Sequence, residues 1–331
     1  MKRSFLRIFS LVLCAALLSV PAFAAEEGTE EAPARPGLVR VWGTLTHLED
    51  GGLLVEDPDD SGSLSTVILH GESIICLDAV TGDPMETSDL RDGETVYAWV
   101  GPAMTMSLPP HTTAYLILGN IPADYDVPQL YEIAAVTPQV MAAIYPAPAM
   151  TWTEVTATDG TTLKITDEAE LMPYLTKNVV RLEDLIPGTR ILVWEDAQGG
   201  PERVLVFPYA YRGYMTCSDE GVVSVNGQVV SQDIKTAEDG TRLLPIRAVA
   251  EALGMDVRWD PAKGAVVAYR EEGQTETADL QTLFTAMPGG AIMGVSETGE
   301  TYEVAGTCVK EAGVTYLSIS TLANLLDLYL A

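Results

Sequence analysis

Residues 240–260 read Gly240-Thr-Arg-Leu-Leu-Pro-Ile-Arg-Ala-Val-Ala-Glu-Ala-Leu-Gly-Met-Asp-Val-Arg-Trp-Asp260 and predict a strand, a helix and a second strand. Pro245 suits the first helical turn, where a missing N–H costs no hydrogen bond. Gly254 follows as the expected left-handed cap of the helix. The alternation from Met255 to Asp260 is that of a strand with one solvated face. One apolar stripe at i, i+3, i+4 and i+7 is formed by Ile246, Val249, Ala250 and Leu253.

The residue types of this stretch predict packing and no chemistry. Arg247 and Glu251 lie four residues apart, so we expect them to pair on the helix flank as a structural clasp. The structural motif consists of Pro245, Arg247, Glu251, Leu253, Gly254 and Trp259.

The pattern from residue 225 to 254 recurs weakly from 298 to 327, an offset of 73 (298 − 225). A second helix is therefore predicted from about Ser318 to Leu326, although this copy lacks the proline, the arginine and the capping glycine. Its apolar stripe is Ile319, Leu322, Ala323 and Leu326. Asn226-Gly227 predicts a type I′ hairpin turn between two strands of the first copy. Together these features predict an α+β domain in which two β-hairpin/helix halves share one core.

Three segments closely resemble the copper amine oxidase N-terminal-like domain. They are Arg242-Leu-Leu-Pro-Ile-Arg-Ala-Val-Ala-Glu-Ala-Leu-Gly254, Val257-Arg-Trp-Asp260 and Val225-Asn-Gly227. This module, also called a stalk domain, is common in secreted proteins of Gram-positive bacteria, and the resemblance covers about residues 213–331. The family word Val-Pro-Leu-Arg is here Leu244-Pro-Ile-Arg247. In amine oxidases, copper and the modified-tyrosine cofactor belong to a separate catalytic domain, so the resemblance implies no oxidase activity.

Residues 37–122 and 123–212 each predict a small all-β unit, barrel-like or sandwich-like, because short strands alternate with Gly, Pro and Asp turns. The proline-rich segment 121–150 is predicted as a connection that joins the second sheet only in part. We expect a helical turn at Glu168–Leu175. The sequence pattern of residues 89–99 recurs 95 residues later (184 − 89), where Asp184-Leu-Ile-Pro-Gly188 leads to Ile191-Leu-Val-Trp194. This recurrence favours a second copy of the same β unit.

The N-terminus is typical of an export signal. Basic residues precede an apolar run from Ile8 to Val20, and Ala22-Phe-Ala24 offers a cleavage site, so residues 1–24 are predicted as a signal peptide. No later segment is predicted to cross a bilayer. Residues 25–36 read as an acidic linker. We expect a secreted or cell-envelope location, outside the cytoplasm.

The net charge of −28 disfavours nucleic acid as a partner. Removing residues 1–24, which hold three basic and no acidic residues, would change it to −31. Three cysteines would then remain, and Cys217 and Cys308 could form a disulfide or stay free. The acidic surface either confers solubility alone or binds cations.

No catalytic, metal or cofactor-binding residue is predicted. The chain has three histidines, none of them in residues 213–331, whereas a copper site needs clustered imidazole or sulfur ligands. Asp57-Pro-Asp-Asp-Ser-Gly62 resembles the start of a calcium loop, but Ile68 stands where the bidentate glutamate is needed, which favours an acidic turn.

Two apolar or aromatic segments are candidates for a contact patch. The loop after Met104 is rich in apolar and turn residues, and it either projects as a contact surface or folds back onto the barrel. The aromatic run 207–214 offers stacking surfaces or ordinary packing. The candidate patch residues are Met104, Met106, Leu108, Tyr209 and Tyr211.

These patterns predict a multidomain exported protein without catalytic activity, which binds or presents a protein, peptide or wall polymer. One alternative is a secreted hydrolase that uses carboxylates of the β units. Another is a calcium-dependent adhesive module. Two carboxylates converging in a deep cleft would favour the hydrolase.

Overall fold

The computed structural model describes residues 37–59, 64–71, 74–141, 150–269, 280–296 and 298–331. The described residues belong to one compact unit. The chain is mostly β, with barrel-like sheets, and two α-helices lie within the described ranges. Neither helix is long and apolar enough to span a bilayer.

The first sheet closes on itself and is called the first barrel below. Its strands pair in the order β3-β2-β1-β6-β7, and β3 also pairs with β7 in parallel, which joins the two ends. β4 continues along β7 beyond β3, and β5 pairs with β4. The strands are β1 (Val39–His47), β2 (Leu53–Glu56), β3 (Thr66–His70), β4 (Ile75–Asp78), β5 (Pro84–Met85), β6 (Thr95–Met104) and β7 (His111–Gly119).

The second, barrel-like sheet has the order β10-β9-β8-β12-β13-β11. Its first three strands form a meander, β8 pairs with β12, and β11 runs parallel to β13, so the corresponding pairings of the first barrel recur. The strands are β8 (Gln129–Met141), β9 (Met150–Ala157), β10 (Thr162–Thr166), β11 (Glu170–Pro173), β12 (Arg190–Glu195) and β13 (Pro201–Val206).

The segments that echo each other at an offset of 95 have the same local structure. A three-residue 3-10 turn covers Thr87–Asp89 in the first sheet and Leu182–Asp184 in the second. Each turn ends in an aspartate that accepts a hydrogen bond from the backbone N–H of the residue before the turn. Gly93 and Gly188 both have a φ of 88° and close the following turn. Whether the two sheets derive from one duplicated unit stays a prediction.

The two sheets share an apolar layer between them. Val96 and Ala98 point into the first barrel, whereas Tyr97 and Trp99, which alternate with them, pack in the layer. In β12 the alternation is the same, and Leu192 and Trp194 enter the layer. The strands β6 and β12 are therefore apolar on both faces because both faces are covered.

The described residues between 213 and 331 form three smaller sheets around a single core. The sheets have the orders β16-β15-β14-β26, β17-β18-β25-β24 and β19-β20-β21-β22-β23. The strands are β14 (Gly213–Cys217), β15 (Val223–Val225), β16 (Gln228–Ser231), β17 (Lys235–Thr236), β18 (Arg242–Pro245), β19 (Asp256–Asp260), β20 (Gly264–Tyr269), β21 (Gln281–Ala286), β22 (Ile292–Val295), β23 (Thr301–Val304), β24 (Cys308–Glu311), β25 (Val314–Ser318) and β26 (Leu328–Leu330). The helices are α1 (Ile246–Ala252) and α2 (Ile319–Leu325).

Strands β18 and β25 pair antiparallel and lead directly into α1 and α2. Leu244 lies opposite Leu317 in this pair, and these two residues are 73 apart in the chain (317 − 244), as are the starts of the helices (319 − 246). Both predicted helices are confirmed, and their apolar stripes lie in the shared core; Leu253 is partly buried there. An evolutionary duplication would explain this offset, and it stays a prediction.

The ends of the helices refine the sequence prediction. Pro245 precedes α1 as its N-cap residue and does not belong to the first turn, a difference of one position. Gly254 has a φ of +74°, and its N–H donates to Glu251 while the N–H of Met255 donates to Ala250, which is a Schellman cap. Asp327 takes the corresponding place after α2 with a φ of +53°.

Segment 121–150 joins the second sheet in part, as expected, but its Pro138 does not interrupt the strand, and the prediction of a helical turn at Glu168–Leu175 was wrong. Residues 129–141 form its longest strand although Pro138 lies within it. From residue 133 onwards β8 pairs with β9, while its pairing with β12 ends at Glu132, so the proline nitrogen can face the unpaired side of the strand. Glu170–Pro173 is a strand and not a helical turn, because this segment pairs in parallel with β13.

Candidate functional site

The tip of the β6–β7 hairpin is the candidate site. Its loop covers residues 105–110 and is held by its own hydrogen bonds. The N–H of Thr105 donates to the His111 carbonyl oxygen over 2.9 Å, and the N–H of His111 donates to Thr105 Oγ1 over 2.8 Å. The Ser107 hydroxyl donates to the Pro109 carbonyl oxygen over 2.9 Å. These bonds give the loop a defined shape at the end of a paired hairpin.

This loop displays two apolar side chains to solvent. The exposed fraction is 102% for Met106 and 96% for Leu108. Met104 behaves differently, because it packs against the interior of the first barrel. The alternative that the loop folds back as a plug therefore holds for Met104 alone. The projecting surface is called the hairpin tip below and is defined by Met106 and Leu108.

A pair of histidines lies at the base of the tip. Nε2 of His70 and Nδ1 of His111 are 2.7 Å apart, so one ring donates a hydrogen bond to the other. The ring centroids are 4.9 Å apart and the planes differ by 6°. The 2.7 Å between the two nitrogens makes up most of the 4.9 Å between the ring centroids, so the bonded nitrogens lie between the two rings. The rings therefore meet edge to edge and do not overlap. This bond ties β3 to β7 directly below the tip.

The structure places Tyr209 and Tyr211 in a different environment. Both are partly buried, and Tyr211 packs edge-on against Tyr209 and against Tyr329. The Tyr209 hydroxyl donates to the Pro187 carbonyl oxygen over 2.8 Å. Burial, followed by the nearby Tyr211, raises the pKa of the Tyr209 phenol. These tyrosines connect the second sheet to the tail of the chain through Pro187 and Tyr329.

The structural-motif residues of the helix α1 region perform packing and capping. Arg247 Nη1 donates to Glu251 Oε1 over 2.8 Å on the exposed helix flank. Trp259 was expected on the buried face of its strand, yet its exposed fraction is 44%. Lys310 Nζ lies 3.3 Å from the centroid of its ring, so a cation–π contact covers the indole at the edge of the core.

The described cysteines and metal-binding side chains form no second candidate site. Cys76, Cys217 and Cys308 are free thiols, and no cluster of three metal-binding side chains occurs within the described ranges. Residues 60–62 of the calcium-loop segment 57–62 lie outside those ranges. In the described half, the N–H of Asp59 donates to Asp57 over 2.9 Å, as in an acidic turn.

A shallow groove of about 390 Å³ lies on the second sheet. Its apolar wall includes Leu171 and Leu182, which pack against the interior of that sheet. Two carboxylates, Asp167 and Glu183, line it, and Glu183 accepts a hydrogen bond of 3.2 Å from Arg181. Both acidic residues are exposed, so the groove does not enclose them as a deep cleft would.

The shared layer between the two sheets was missed from the sequence. The signal was present in Val96-Tyr-Ala-Trp99 and Ile191-Leu-Val-Trp194, whose apolar character is continuous and not alternating. A continuous apolar run predicts a strand covered on both faces. The layer matters for the site because it fixes the first barrel, and hence its hairpin tip, to the rest of the chain.

Comparison with known proteins bears on the last third of the chain. Residues 224–329 match the family model of the copper amine oxidase N-terminal domain, a non-catalytic, stalk-like module, and this confirms the resemblance seen in the sequence. No curated protein and no solved structure gave a significant match.

Proposed function

We propose that this protein is an exported, non-catalytic module of the cell envelope or the extracellular space, which binds a protein or peptide through its hairpin tip. The observation that carries the proposal is the nearly complete exposure of Met106 and Leu108 on a loop held by its own hydrogen bonds. Such exposure has no benefit for folding, whereas an ordered apolar projection is suited to a complementary pocket.

Two further observations support the proposal. The match of residues 224–329 to a non-catalytic module favours holding over turnover. Residues 1–24 carry the composition of an export signal, and the strong negative charge suits a protein that stays soluble outside the cell. A wall polymer, which the sequence analysis also gave as a partner, is a second kind of partner in the cell envelope.

The binding energy available at the tip is bounded. Burying a methionine and a leucine completely contributes about 1.5–3 kcal/mol each. Association also costs several kcal/mol in lost freedom, so these two anchors need further contacts around them. The tip therefore supplies the centre of an interface and not its entire area.

A retention assay tests the proposal. The wild-type chain is compared with the double variant Met106→Ser/Leu108→Ser on immobilised secreted proteins and purified wall from the producing organism. We expect saturable retention that the tip variant loses. The control is Leu175→Ser/Val179→Ser, which removes exposed apolar side chains (72% and 80%) from the second sheet. Equal retention of all three proteins, or turnover of a wall substrate, would contradict the proposal. A calcium-dependent thermal shift reversed by chelator would favour the adhesive alternative.

A further inference from the structure

We propose that Met106 is a site of oxidation by hydroperoxides, and that its conversion to the sulfoxide switches off binding at the hairpin tip. The second half of this proposal rests on the proposed function, whereas the first half does not. The exposed fraction of Met106 is 102%, so solvent reaches the whole side chain. The hydrogen bonds of Thr105 and Ser107 hold the loop in the shape that presents this side chain.

The other methionines whose side chains the structure describes are shielded from solvent. Met104, two residues away, packs against the interior of the first barrel, and Met172 packs in the layer between the two sheets. Asn120 Nδ2 donates to the Met85 sulfur over 3.5 Å. Since an oxidant must reach the sulfur, we expect Met106 to react before all of these methionines. They are Met85, Met104, Met172, Met287 and Met293, which are partly buried, and Met215 and Met255, which are buried.

Oxidation would turn one apolar anchor of the hairpin tip into a polar one. A lone pair of the Met106 sulfur attacks an oxygen of hydrogen peroxide, so that an S–O bond forms and the O–O bond breaks. The hydrogen on the transferred oxygen passes to the leaving oxygen, which departs as water. The sulfur is oxidised by two electrons and the peroxide is reduced by two. The sulfoxide oxygen is a hydrogen-bond acceptor, and an apolar pocket offers it no donor, so its burial there is unfavourable.

The surroundings of Met106 favour a neutral oxidant. Residues 95–123 contain no Asp, Glu, Lys or Arg, although the whole chain has a net charge of −28. This charge repels anionic oxidants at a distance and has no such effect on hydrogen peroxide. An apolar tip does not require sulfur, because Leu108 has a similar exposure and lacks it. The tip therefore combines one anchor that a peroxide can change with one that it cannot.

Peptide mapping by mass spectrometry, after timed treatment of the folded chain with hydrogen peroxide, tests the site of oxidation. We expect Met106 to be oxidised on the order of tenfold faster than Met215 and Met255, because both of these are buried. Unfolding the chain in guanidinium before the treatment should remove this difference, since all three sulfurs are then accessible. Equal rates for the three methionines in the folded chain would overturn the proposal.

The retention assay on immobilised secreted proteins and wall tests the loss of binding, with Met106→Leu and Met104→Leu as matched variants. Peroxide should weaken retention of the wild type and of Met104→Leu roughly tenfold, because one apolar anchor is lost, and should leave Met106→Leu unchanged. Methionine sulfoxide reductase with a thiol reductant should restore retention. Equal losses in the two variants, or a loss that the reductase does not reverse, would overturn the switch. If the untreated wild type is not retained, the proposed function fails and the switch with it, whereas peptide mapping still decides whether Met106 is the oxidation site.

Discussion

The indole N–H of Trp194 donates a hydrogen bond of 2.8 Å to the carbonyl oxygen of Ala79, across 115 residues of the chain and in a buried position. Ala79 belongs to the loop after β4, and Trp194 to β12, so this bond joins the two β-sheets inside their shared apolar layer. Arg203 donates to the next carbonyl oxygen of that loop, on Val80, while its guanidinium covers the Trp194 ring. The loop is thereby fixed to the second sheet by two donors.

Replacing Trp194 with Phe should destabilise the chain by about 1–3 kcal/mol, because the Ala79 carbonyl loses its short hydrogen bond in a buried place. Among the described contacts, the Ala79 carbonyl oxygen of the variant then keeps only the Tyr125 hydroxyl, at 3.5 Å. Urea unfolding of both proteins measures the difference. Trp152→Phe, at a partly exposed position, should change stability by less than about 0.5 kcal/mol. Equal losses in the two variants would show that the bond contributes nothing.

The caps after the two helices should respond in opposite directions to substitution. Gly254→Ala should cost about 1 kcal/mol, because φ is +74° there and no neighbouring atom lies within 4 Å of the added Cβ. The strain is therefore that of the backbone alone. Asp327→Gly should be neutral or stabilise the chain by less than about 1 kcal/mol, since glycine is better suited to a positive φ. Chemical denaturation gives both values, and a loss of stability in Asp327→Gly would contradict this account.

His47 should make stability depend on pH in the neutral range. Its ring donates to Asp92 Oδ1 over 2.8 Å, and this bond, followed by a contact of 3.1 Å with the Thr87 carbonyl oxygen, raises its pKa. The stabilisation is complete below the unfolded pKa of about 6.5 and is lost as pH rises through the raised folded pKa. The pKa of Asp92 is lowered by the His47 backbone N–H and then by the ring, so its contribution is lost only as pH falls through that lowered value.

The pH dependence of unfolding in the wild type and in His47→Gln isolates this contribution. We expect the wild type to lose its advantage over the variant as pH rises above about 6.5. A proton NMR titration of His47 should show a pKa above the usual value. A constant difference between the two proteins over this range would rule the contact out as a source of stability.

The three cysteines of the described residues should react slowly in the folded chain. Burial raises the pKa of Cys76 to about 12, with a further effect of Glu94, and burial raises that of Cys308 to about 11. Burial also raises the pKa of Cys217. Because the thiolate is the reactive form, thiol reagents at neutral pH should modify all three much faster after unfolding. A time course with Ellman's reagent, with and without guanidinium, measures this, and rapid modification of the native chain would contradict it.

The hairpin tip should contribute almost nothing to folding. Met106→Ser/Leu108→Ser should leave the free energy of unfolding within about 0.5 kcal/mol of the wild type, because neither side chain is buried. Leu45→Ala, in the interior of the first barrel, should instead cost about 2–5 kcal/mol. Urea unfolding provides both values. A large loss in the tip variant would mean that the loop is part of the core.

Local features of the fold were predictable from the sequence, whereas contacts between sheets were not. The caps and apolar stripes of the helices, and the Asn226–Gly227 turn with φ values of 49° and 77°, depend on neighbouring residues and were confirmed. Pro138 and Glu170–Pro173 were misjudged because the pairing of a distant strand decided their conformation. The exposure of Met106 and Leu108 could be proposed from composition, but only the hydrogen bonds around Thr105 decide between a projecting loop and a plug.

The final short strand, Leu328–Leu330, runs parallel to Gly213–Cys217, the strand that opens the C-terminal region. During synthesis, more than a hundred further residues must therefore be made after strand Gly213–Cys217 before its partner strand Leu328–Leu330 leaves the ribosome. Until then it presents an open edge, which other chains could occupy. A nascent chain stalled before residue 328 should accordingly be sensitive to protease and prone to association, while the two sheets upstream of it can already be assembled.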